Sequence, residues 1–136
     1  MQLNIIPLKE TDYKDILCGW WEDWRWRPPL KDFLPEDGMG GFIVYDGDIP
    51  VCAGFMYTTN SKAVWCDWII SNIRYKDRQK RKEALELLIK TISDKAELLG
   101  MKYIYALIKN KPLIKTYEKL GFISASSYNQ EMIKKI

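Results

Sequence analysis

The fold of this chain is decided by residues 63–99, in which three kinds of sequence follow one another. An apolar run, AVWCDWII, covers 63–70. A basic stretch, RYKDRQKRK, covers 74–82, and an amphipathic run then continues to Leu99. This order predicts a buried strand, a cationic turn and a long helix. Backbone N–H groups at the start of a helix, with cations around them, form a binding site for anions.

Length and composition indicate a single globular domain covering 1–136, with a core that needs neither disulfides nor a metal. Hydrophobic residues make up 47% of the chain and charged residues 29%, which is ordinary for a globular protein. The net charge of +3 suits an anionic ligand and does not require nucleic acid.

The residue types that are missing exclude several classes of protein. Because the chain contains no histidine, it can hold no histidine-dependent catalytic triad and no histidine-ligated zinc. Its three cysteines, Cys18, Cys52 and Cys66, are far apart and form no CxxC pair, so a reducing compartment is expected. No run of about 18 apolar residues occurs, so no membrane span is expected. Residues 1–7 lack a secretory pattern, and we expect a cytoplasmic protein.

The segments before residue 63 predict supporting elements. A short apolar run at 2–7 predicts a strand, and a helix is predicted from a cap at Thr11 to the proline pair that begins at Pro28. Two further strands, 42–45 and 51–57, are joined by a DGD turn and complete an antiparallel meander with 63–70.

The segments after Leu99 predict a second strand–helix unit and a sheet edge. The run 101–108 predicts a buried strand, and Asn110 or Lys111 caps a short helix that Gly121 ends. Residues 122–123 and 128–136 are predicted as two closing strands. The resulting order, β-α-β-β-β-α-β-α-β-β, predicts an α/β protein with a mixed sheet and helices on both faces.

Three local patterns accompany this order. NKPLIKTYEKLGF at 110–122 places an asparagine seven residues before a tyrosine, with Gly-Phe after it; QKRKEA stands at 79–84; and the central strand carries an acid. Over nearly the whole chain this resembles the GNAT family of acyl-CoA-dependent N-acetyltransferases. The second pattern matches the family's Q/R-x-x-G-x-G/A pyrophosphate loop in part, because Lys82 replaces the middle glycine.

A second resemblance concerns the front half of the chain. Residues 20–35, which contain the WWEDWRWRPP run, resemble small GNAT-like proteins encoded by bacteriophages. That resemblance implies the cytoplasm of a bacterium or of a phage-infected host.

The family resemblance implies that acetyl-CoA is the cofactor. Backbone groups of the strand end would bind its pantetheine arm, amides of the basic segment would bind its pyrophosphate, and Asn110 belongs to the same site. The residues assigned to the cofactor are Ile69, Ile70, Ser71, Gln79, Lys80, Arg81, Lys82, Glu83, Ala84 and Asn110. The basic side chains from Arg74 to Lys82 would pair with the 3′-phosphate. The alternative is a solvated run of charge or a nucleic-acid patch.

Two residues are candidates for catalysis. By resemblance Tyr117 is the general acid that protonates the thiolate leaving group; the alternative is a core aromatic residue at helical spacing. Asp67 interrupts an apolar strand, where a raised pKa would suit a base that takes a proton from an ammonium group. The alternative role for Asp67 is a structural hydrogen-bond acceptor, and Glu22 and Asp23 are rival bases.

The tryptophan-rich segment is a candidate for binding the acceptor. Trp20, Trp21 and Trp24 are predicted to be core residues at helical spacing. Outside that stripe, Trp26 and Arg27, with Glu22, are assigned to an acceptor cleft, which aromatic and arginine residues favour. Stacking on nucleic-acid bases is the alternative.

Two functions therefore follow from the sequence. The first is an N-acetyltransferase that moves an acetyl group from acetyl-CoA to a primary amine of a small molecule or protein by direct attack. The second is an inactive GNAT-like binding module that holds nucleic acid, the less favoured ligand, or a protein partner. Either could be a monomer or a homodimer.

Overall fold

The fold is described here from a computed structural model that covers residues 2–125 and 127–136; Met1 and Ser126 lie outside the described residues. The strands are β1 (Leu3–Pro7), β2 (Gly41–Asp46), β3 (Ile49–Thr58), β4 (Ala63–Ser71) and β5 (Tyr103–Tyr105). The helices are α1 (Cys18–Asp23), α2 (Arg78–Leu98) and α3 (Lys111–Lys119). A π-helical turn, Tyr13–Leu17, leads into α1, and two 3-10 turns, Lys31–Phe33 and Pro35–Gly38, precede β2.

The five strands form one mixed sheet in the order β1-β2-β3-β4-β5. The first three neighbouring pairs are antiparallel, and only β4 and β5 run parallel. This arrangement follows from the connections: tight turns join the antiparallel strands, whereas the crossover through α2 makes β5 parallel to β4. The predicted mixed sheet and its central meander are confirmed.

The two faces of the sheet carry separate hydrophobic cores, as alternating side chains on strands require. On one face α2 and α3 cover a core that includes Val64, Cys66 and Tyr117. On the other face the α1 segment covers a core that includes Trp21, Phe55 and Ile70. β4 contributes to both cores, so its successive side chains point to opposite sides of the molecule.

The first helix is shorter than the sequence pattern indicates. Helical structure ends at Asp23, five residues before Pro28, and Arg25 has a left-handed φ of 63°. The indole N–H of Trp24 donates to the carbonyl oxygen of Ser71 over 2.8 Å, which ties this helix end to β4. Trp24 is 36% exposed, so its prediction as a core residue is wrong, whereas Trp20 and Trp21 are buried.

The C-terminal part of the chain differs most from the prediction. Of the run 101–108 only Tyr103–Tyr105 forms a strand, and within the described residues 120–125 and 127–136 no strand is present. The backbone N–H of Phe122 donates to the carbonyl oxygen of Tyr117, and its ring packs edge-on against the Tyr117 ring. The chain after α3 therefore folds back on that helix instead of extending beside β5, and the two predicted closing strands are wrong.

Among the residues that the structure describes, none of the helices combines the length and the hydropathy that crossing a bilayer requires.

Candidate active site

The candidate site lies where β4 and β5 separate. The two strands pair only between Ala63–Trp65 and Tyr103–Tyr105. Beyond that point the backbone N–H of Leu107 donates to the carboxylate Oδ1 of Asp67 over 3.0 Å, so a side chain replaces the strand ladder. We call this region the fork: residues 66–71 of β4 and residues 106–108 that follow β5. The fork leaves one edge of the second half of β4 unpaired with β5.

A β-bulge in β4 shapes the fork. Ala53 pairs with Ile70, whereas Phe55 pairs with Asp67, so β4 carries one extra residue opposite Gly54. Trp68 is one of the two β4 residues opposite Gly54, and it has a left-handed φ of 57°. Such a conformation is rare for a bulky side chain and is found where the surrounding structure imposes it. The bulge increases the local twist, which turns the end of β4 away from β5.

Gly54 allows the bulge to pack. A Cβ atom at this position would lie 2.4 Å from Cδ1 of Ile69 and 3.2 Å from a methyl carbon of Leu88. The side chain of Ile69 therefore occupies the space over the glycine. Any larger residue at Gly54 would require the side chain of Ile69 to move.

Tyr117 reaches the fork from the face that α2 and α3 cover. The residue is 2% exposed, and its hydroxyl group donates to the carbonyl oxygen of Cys66 over 3.0 Å. The same hydroxyl lies 3.5 Å from Sγ of Cys66. Burial, together with the neighbouring Cys66, raises the pKa of the phenol above its usual value, so Tyr117 holds its proton at neutral pH. Tyr117 is thus a core residue whose polar end touches β4 at the fork.

Asp67 reaches the fork from the opposite face. Its cross-strand partner is Phe55, which belongs to the core under α1. Burial raises the pKa of the Asp67 carboxyl to about 6; the hydrogen bond from Leu107 opposes that rise and the carboxylate of Glu131 adds to it. At neutral pH the carboxylate is mainly ionised and can accept a proton. Asp67 is thus also a structural hydrogen-bond acceptor, but its donor is the backbone N–H of Leu107 and not the tryptophan or arginine side chain that the sequence led us to expect.

Aromatic side chains lie along the strands near Asp67, and sequence reasoning did not assign them to the site. Trp65 lies two residues before Asp67 on the same face, with its ring 4.4 Å from that of Tyr105. Tyr57 pairs across the strands with Trp65, and its hydroxyl donates to the carbonyl oxygen of Phe33 over 3.0 Å. The ring of Trp68 lies 5.9 Å from that of Phe33. The two-residue repeat of a strand was the signal that groups Trp65 with Asp67.

The basic segment 74–82 is arranged differently from the prediction. Helix α2 begins at Arg78, with Asp77 as its N-cap: Oδ1 of Asp77 accepts from the backbone N–H of Lys80 over 3.0 Å. Residues Gln79–Ala84 therefore lie inside the helix, not in a loop ahead of it. Only the first amides of a helix stand outside its ladder of hydrogen bonds. Those of Arg78 and Gln79 are the ones that could meet an anion, and Ala84 faces the core.

Several cations of the segment are already engaged. Arg74 pairs with Asp23 over 3.1 Å, and Lys80 pairs with Asp46 over 3.5 Å. The guanidinium group of Arg81 donates to the carbonyl oxygen of Tyr75, while its Nε is buried and has no hydrogen-bond partner in the described part of the chain. A buried N–H without a partner is uncommon.

The remaining predicted site residues lie away from Tyr117 and Asp67. Asn110 is the N-cap of α3 and accepts from the backbone N–H of Leu113 over 3.0 Å, which confirms the predicted cap. Trp26 stacks on Trp24 at 5.9 Å and is 54% exposed. Glu22 and Arg27 are exposed at the end of α1. Because Trp24 is bonded to Ser71, these acceptor candidates lie near the last residue of β4 and not around Asp67.

A cleft of about 430 Å³ lies elsewhere, between the start of β2, the end of β3 and the last turns of α2. It is lined by Phe42, Tyr57 and Lys95, among others, and by none of the residues predicted for the site. Within residues 2–125 and 127–136 no group of three or more cysteine and acidic side chains is arranged to hold a metal ion.

Comparison with solved structures identifies the fold. Over 92% of this chain and 80% of its own, the ribosomal-protein-S18-alanine N-acetyltransferase of Escherichia coli matches with a TM-score of 0.68 at 17% identity. The glucosamine-6-phosphate N-acetyltransferase of Arabidopsis thaliana matches with a TM-score of 0.67 at 10% identity, over 98% of this chain and 100% of its own. No protein-family model matches the sequence, and neither does any curated protein sequence.

A third match contains a cofactor. N-acetylglutamate synthase from Neisseria gonorrhoeae, in complex with coenzyme A and L-arginine, has a TM-score of 0.68 at 17% identity, over 94% of this chain and 29% of its own. At these identities the matches show a GNAT-like fold. The fold expected from the family resemblance is confirmed, with the exception of its closing strands. These matches give no support to a phage origin.

Proposed function

We propose that this protein is an N-acetyltransferase that transfers an acetyl group from acetyl-CoA to a primary amine by direct attack. The observation that carries the proposal is the meeting of Tyr117 and Asp67 at adjacent residues of β4. A proton donor approaches the fork from one face and a proton acceptor from the other. Amide formation from a thioester and an ammonium group needs both.

The residues present fit coenzyme A in part. The N-terminal turn of α2 offers the amides of Arg78 and Gln79 and the positive end of the helix dipole to the phosphates. The buried, unpartnered Nε of Arg81 at the same helix start is a donor that an anion could use. The unpaired edge of β4 from Trp68 to Ser71 offers backbone groups to the pantetheine amides. When bound, acetyl-CoA would supply the acetyl group as a thioester.

The roles of the side chains follow from their protonation states. Asp67, ionised above about pH 6, would accept one proton from the ammonium of the acceptor. The C–N bond of the amide forms and the C–S bond of the thioester breaks. Tyr117, which keeps its proton, would turn its hydroxyl from the Cys66 carbonyl, give the proton to the departing thiolate and take one back when the fork is open to water. Positioning of the two reactants in the fork would supply much of the rate.

A binding module is the second candidate, and a specific observation favours it. The helix starts at Arg78, so Gln79–Ala84 cannot wrap a pyrophosphate as a loop would, and the Asp77 carboxylate caps the helix where phosphates would approach. In this role the fold would be retained without turnover, and the basic segment would hold another anion or a protein.

Calorimetric titration with coenzyme A separates the two candidates. The transferase predicts a dissociation constant in the micromolar range that weakens as salt is raised, because phosphate contacts are screened. The binding module predicts no heat of binding up to about millimolar coenzyme A, roughly a thousandfold weaker. Release of free thiol from acetyl-CoA in the presence of a mixture of amines then tests turnover, and Tyr128→Phe, a change at an exposed phenol, serves as the matched control for Tyr117→Phe.

A further inference from the structure

An aromatic rim lies beside the carboxylate at the fork. We define it as Phe33, Tyr57, Trp65, Trp68 and Tyr105. Four segments supply it: the 3-10 turn Lys31–Phe33, strands β3 and β4, and the edge strand β5. Its members are joined by the Trp65–Tyr105 and Phe33–Trp68 ring contacts and by the hydrogen bond from Tyr57 to Phe33. The rim is therefore a built surface and not a scatter of exposed rings.

The rim is open to solvent on the side of β5. Phe33 is 46% exposed and Tyr105 is 44% exposed, and Leu107, which holds Asp67, is 57% exposed. The other three rings are half-buried. Asp67 is itself half-buried, so this exposed side is where a small molecule would approach the carboxylate.

The charge nearest to the centre of the rim is negative. Asp67 is the acid beside the rim, and the carboxylate of Glu131 is close enough to act on it. In the turn that carries Phe33, Asp32 is balanced by Lys31. An anionic group on a ligand would be repelled by these carboxylates, whereas an ammonium group would be attracted both by them and by the ring faces.

We infer that the acceptor is a cationic amine with an apolar or aromatic body and no anionic group, bound inside the aromatic rim with its ammonium at Asp67. This inference deepens the proposed function and rests on it for the transfer step. It assigns the acceptor to the face that α1 covers, near Trp65 and Tyr105, and not to Glu22, Trp26 and Arg27. It also excludes amino-sugar phosphates and free amino acids as good acceptors.

Three probes that share an aminoethyl group test the inference: 2-phenylethylamine, ethanolamine and 2-aminoethyl phosphate. In the acetyl-CoA assay we expect kcat/KM for 2-phenylethylamine to exceed that for ethanolamine by about tenfold, because the ammonium is common to both amines and only the phenyl ring buries apolar surface against the rim. We expect 2-aminoethyl phosphate to be the poorest acceptor. Transfer to 2-aminoethyl phosphate as efficient as to 2-phenylethylamine would overturn the inference and leave the proposed transferase intact.

Variants of the rim separate binding from folding. Trp65→Leu keeps an apolar side chain and removes the aromatic face; Tyr105→Ala acts at the sheet edge, where loss of packing is small. Both should raise KM for 2-phenylethylamine about fivefold or more, with kcat within about twofold, and should raise KM for ethanolamine less, because only the phenyl ring packs against the lost ring face. Leu98→Ala, at an 87% exposed position on α2, is the control that removes apolar surface elsewhere. Equal loss for both amines would mean a structural role and would overturn the inference.

If no amine is acetylated, the proposed function is wrong, and calorimetry then tests the amine site by itself. Saturable binding of 2-phenylethylamine that Trp65→Leu weakens and Leu98→Ala does not would still support the amine site. No heat of binding up to about 10 mM, a free energy weaker than about −3 kcal/mol, would overturn it.

Discussion

The phenol oxygen of Tyr117 lies 3.0 Å from the carbonyl oxygen of Cys66, the residue directly before Asp67. Successive side chains of a strand point to opposite faces, so the phenol and the carboxylate arrive at one point of β4 from the two sides of the sheet. In the proposed reaction a buried acid and a partly exposed base would therefore act from opposite faces of one strand.

Tyr117→Phe tests the acid role. It removes the proton donor and leaves the ring in place against Phe122, so we expect kcat to fall by about 10²-fold or more, with affinity for coenzyme A within a few-fold. The carbonyl of Cys66 loses its hydrogen bond, and the free energy of unfolding should fall by about 1 kcal/mol in urea titrations. Unchanged turnover would remove the phenol from the mechanism and leave it a core residue.

Asp67→Asn tests the base and its pH dependence. In the wild type, kcat/KM should rise with pH through about 6, as the carboxyl ionises, and this limb should vanish in the variant with a large loss of rate. The asparagine oxygen can still accept from Leu107, so the fork should persist. If kcat/KM of the variant still rises with pH near 6, that ionisation belongs to another group.

Stability gives a second readout at Asp67. The folded-state pKa of about 6 exceeds the ordinary value of 3.8, so the protonated carboxyl favours folding at low pH and that contribution is lost as pH rises through 6. Asp67→Asn should therefore be stabilised relative to the wild type at pH 8 by about 1 kcal/mol, a figure reduced for solvent screening, and should match it near pH 4. Thermal melts at the two pH values measure the difference. The opposite order would show that the ionised form is the stabilised one.

Asp77→Ser tests the helix start. Serine is as good an N-cap as aspartate, so α2 should keep its stability within about 0.5 kcal/mol. Loss of the carboxylate should tighten the binding of coenzyme A about two- to fivefold at low salt. Asp94→Ser makes the same change of charge near the other end of α2 and should leave affinity unchanged. Equal effects of the two variants would mean that only net charge matters.

Gly54→Ala tests the bulge that opens the fork. The new methyl group would meet Cδ1 of Ile69, and we expect a loss of about 1–3 kcal/mol in the free energy of unfolding. In an Ile69→Ala background the space is free and the same change should cost less. A double-mutant cycle in urea measures this coupling. Additive losses would show that the bulge does not depend on the glycine.

The central strand and the helix after it could be predicted because their patterns are strong and local. The apolar run at 63–70 is flanked by turns, and the spacing of Leu88, Ile89 and Ile92 leaves only one face for the core. Asp67 was a candidate because it interrupts an apolar strand. Tyr117 was a candidate because it lies in the 110–122 pattern that resembles the GNAT family. Their meeting at one point of β4 required the three-dimensional register.

Three features escaped prediction for physical reasons. The helix α2 begins a turn early because lysine and arginine favour helix and position 82 has no glycine to interrupt it; the cap type at Asp77 was the available signal. The left-handed conformation at Trp68 could not be predicted from the residue type, because bulky residues rarely adopt it and the bulge depends on the register between β3 and β4. The apolar residues after α3 have the composition of strands, but a strand forms only where a neighbouring strand offers an edge to pair with. β5 is three residues long and offers little edge.

The hydrogen bond from Trp24 to the last residue of β4 has a practical consequence. Stacked on Trp26, this indole is a chromophore tied to the strand end where the cofactor arm is expected to lie. Any movement of Ser71 would alter the environment of the stacked pair. Near-ultraviolet circular dichroism of the unlabelled protein would then report ligand entry directly, with a Trp26→Leu variant to identify the band.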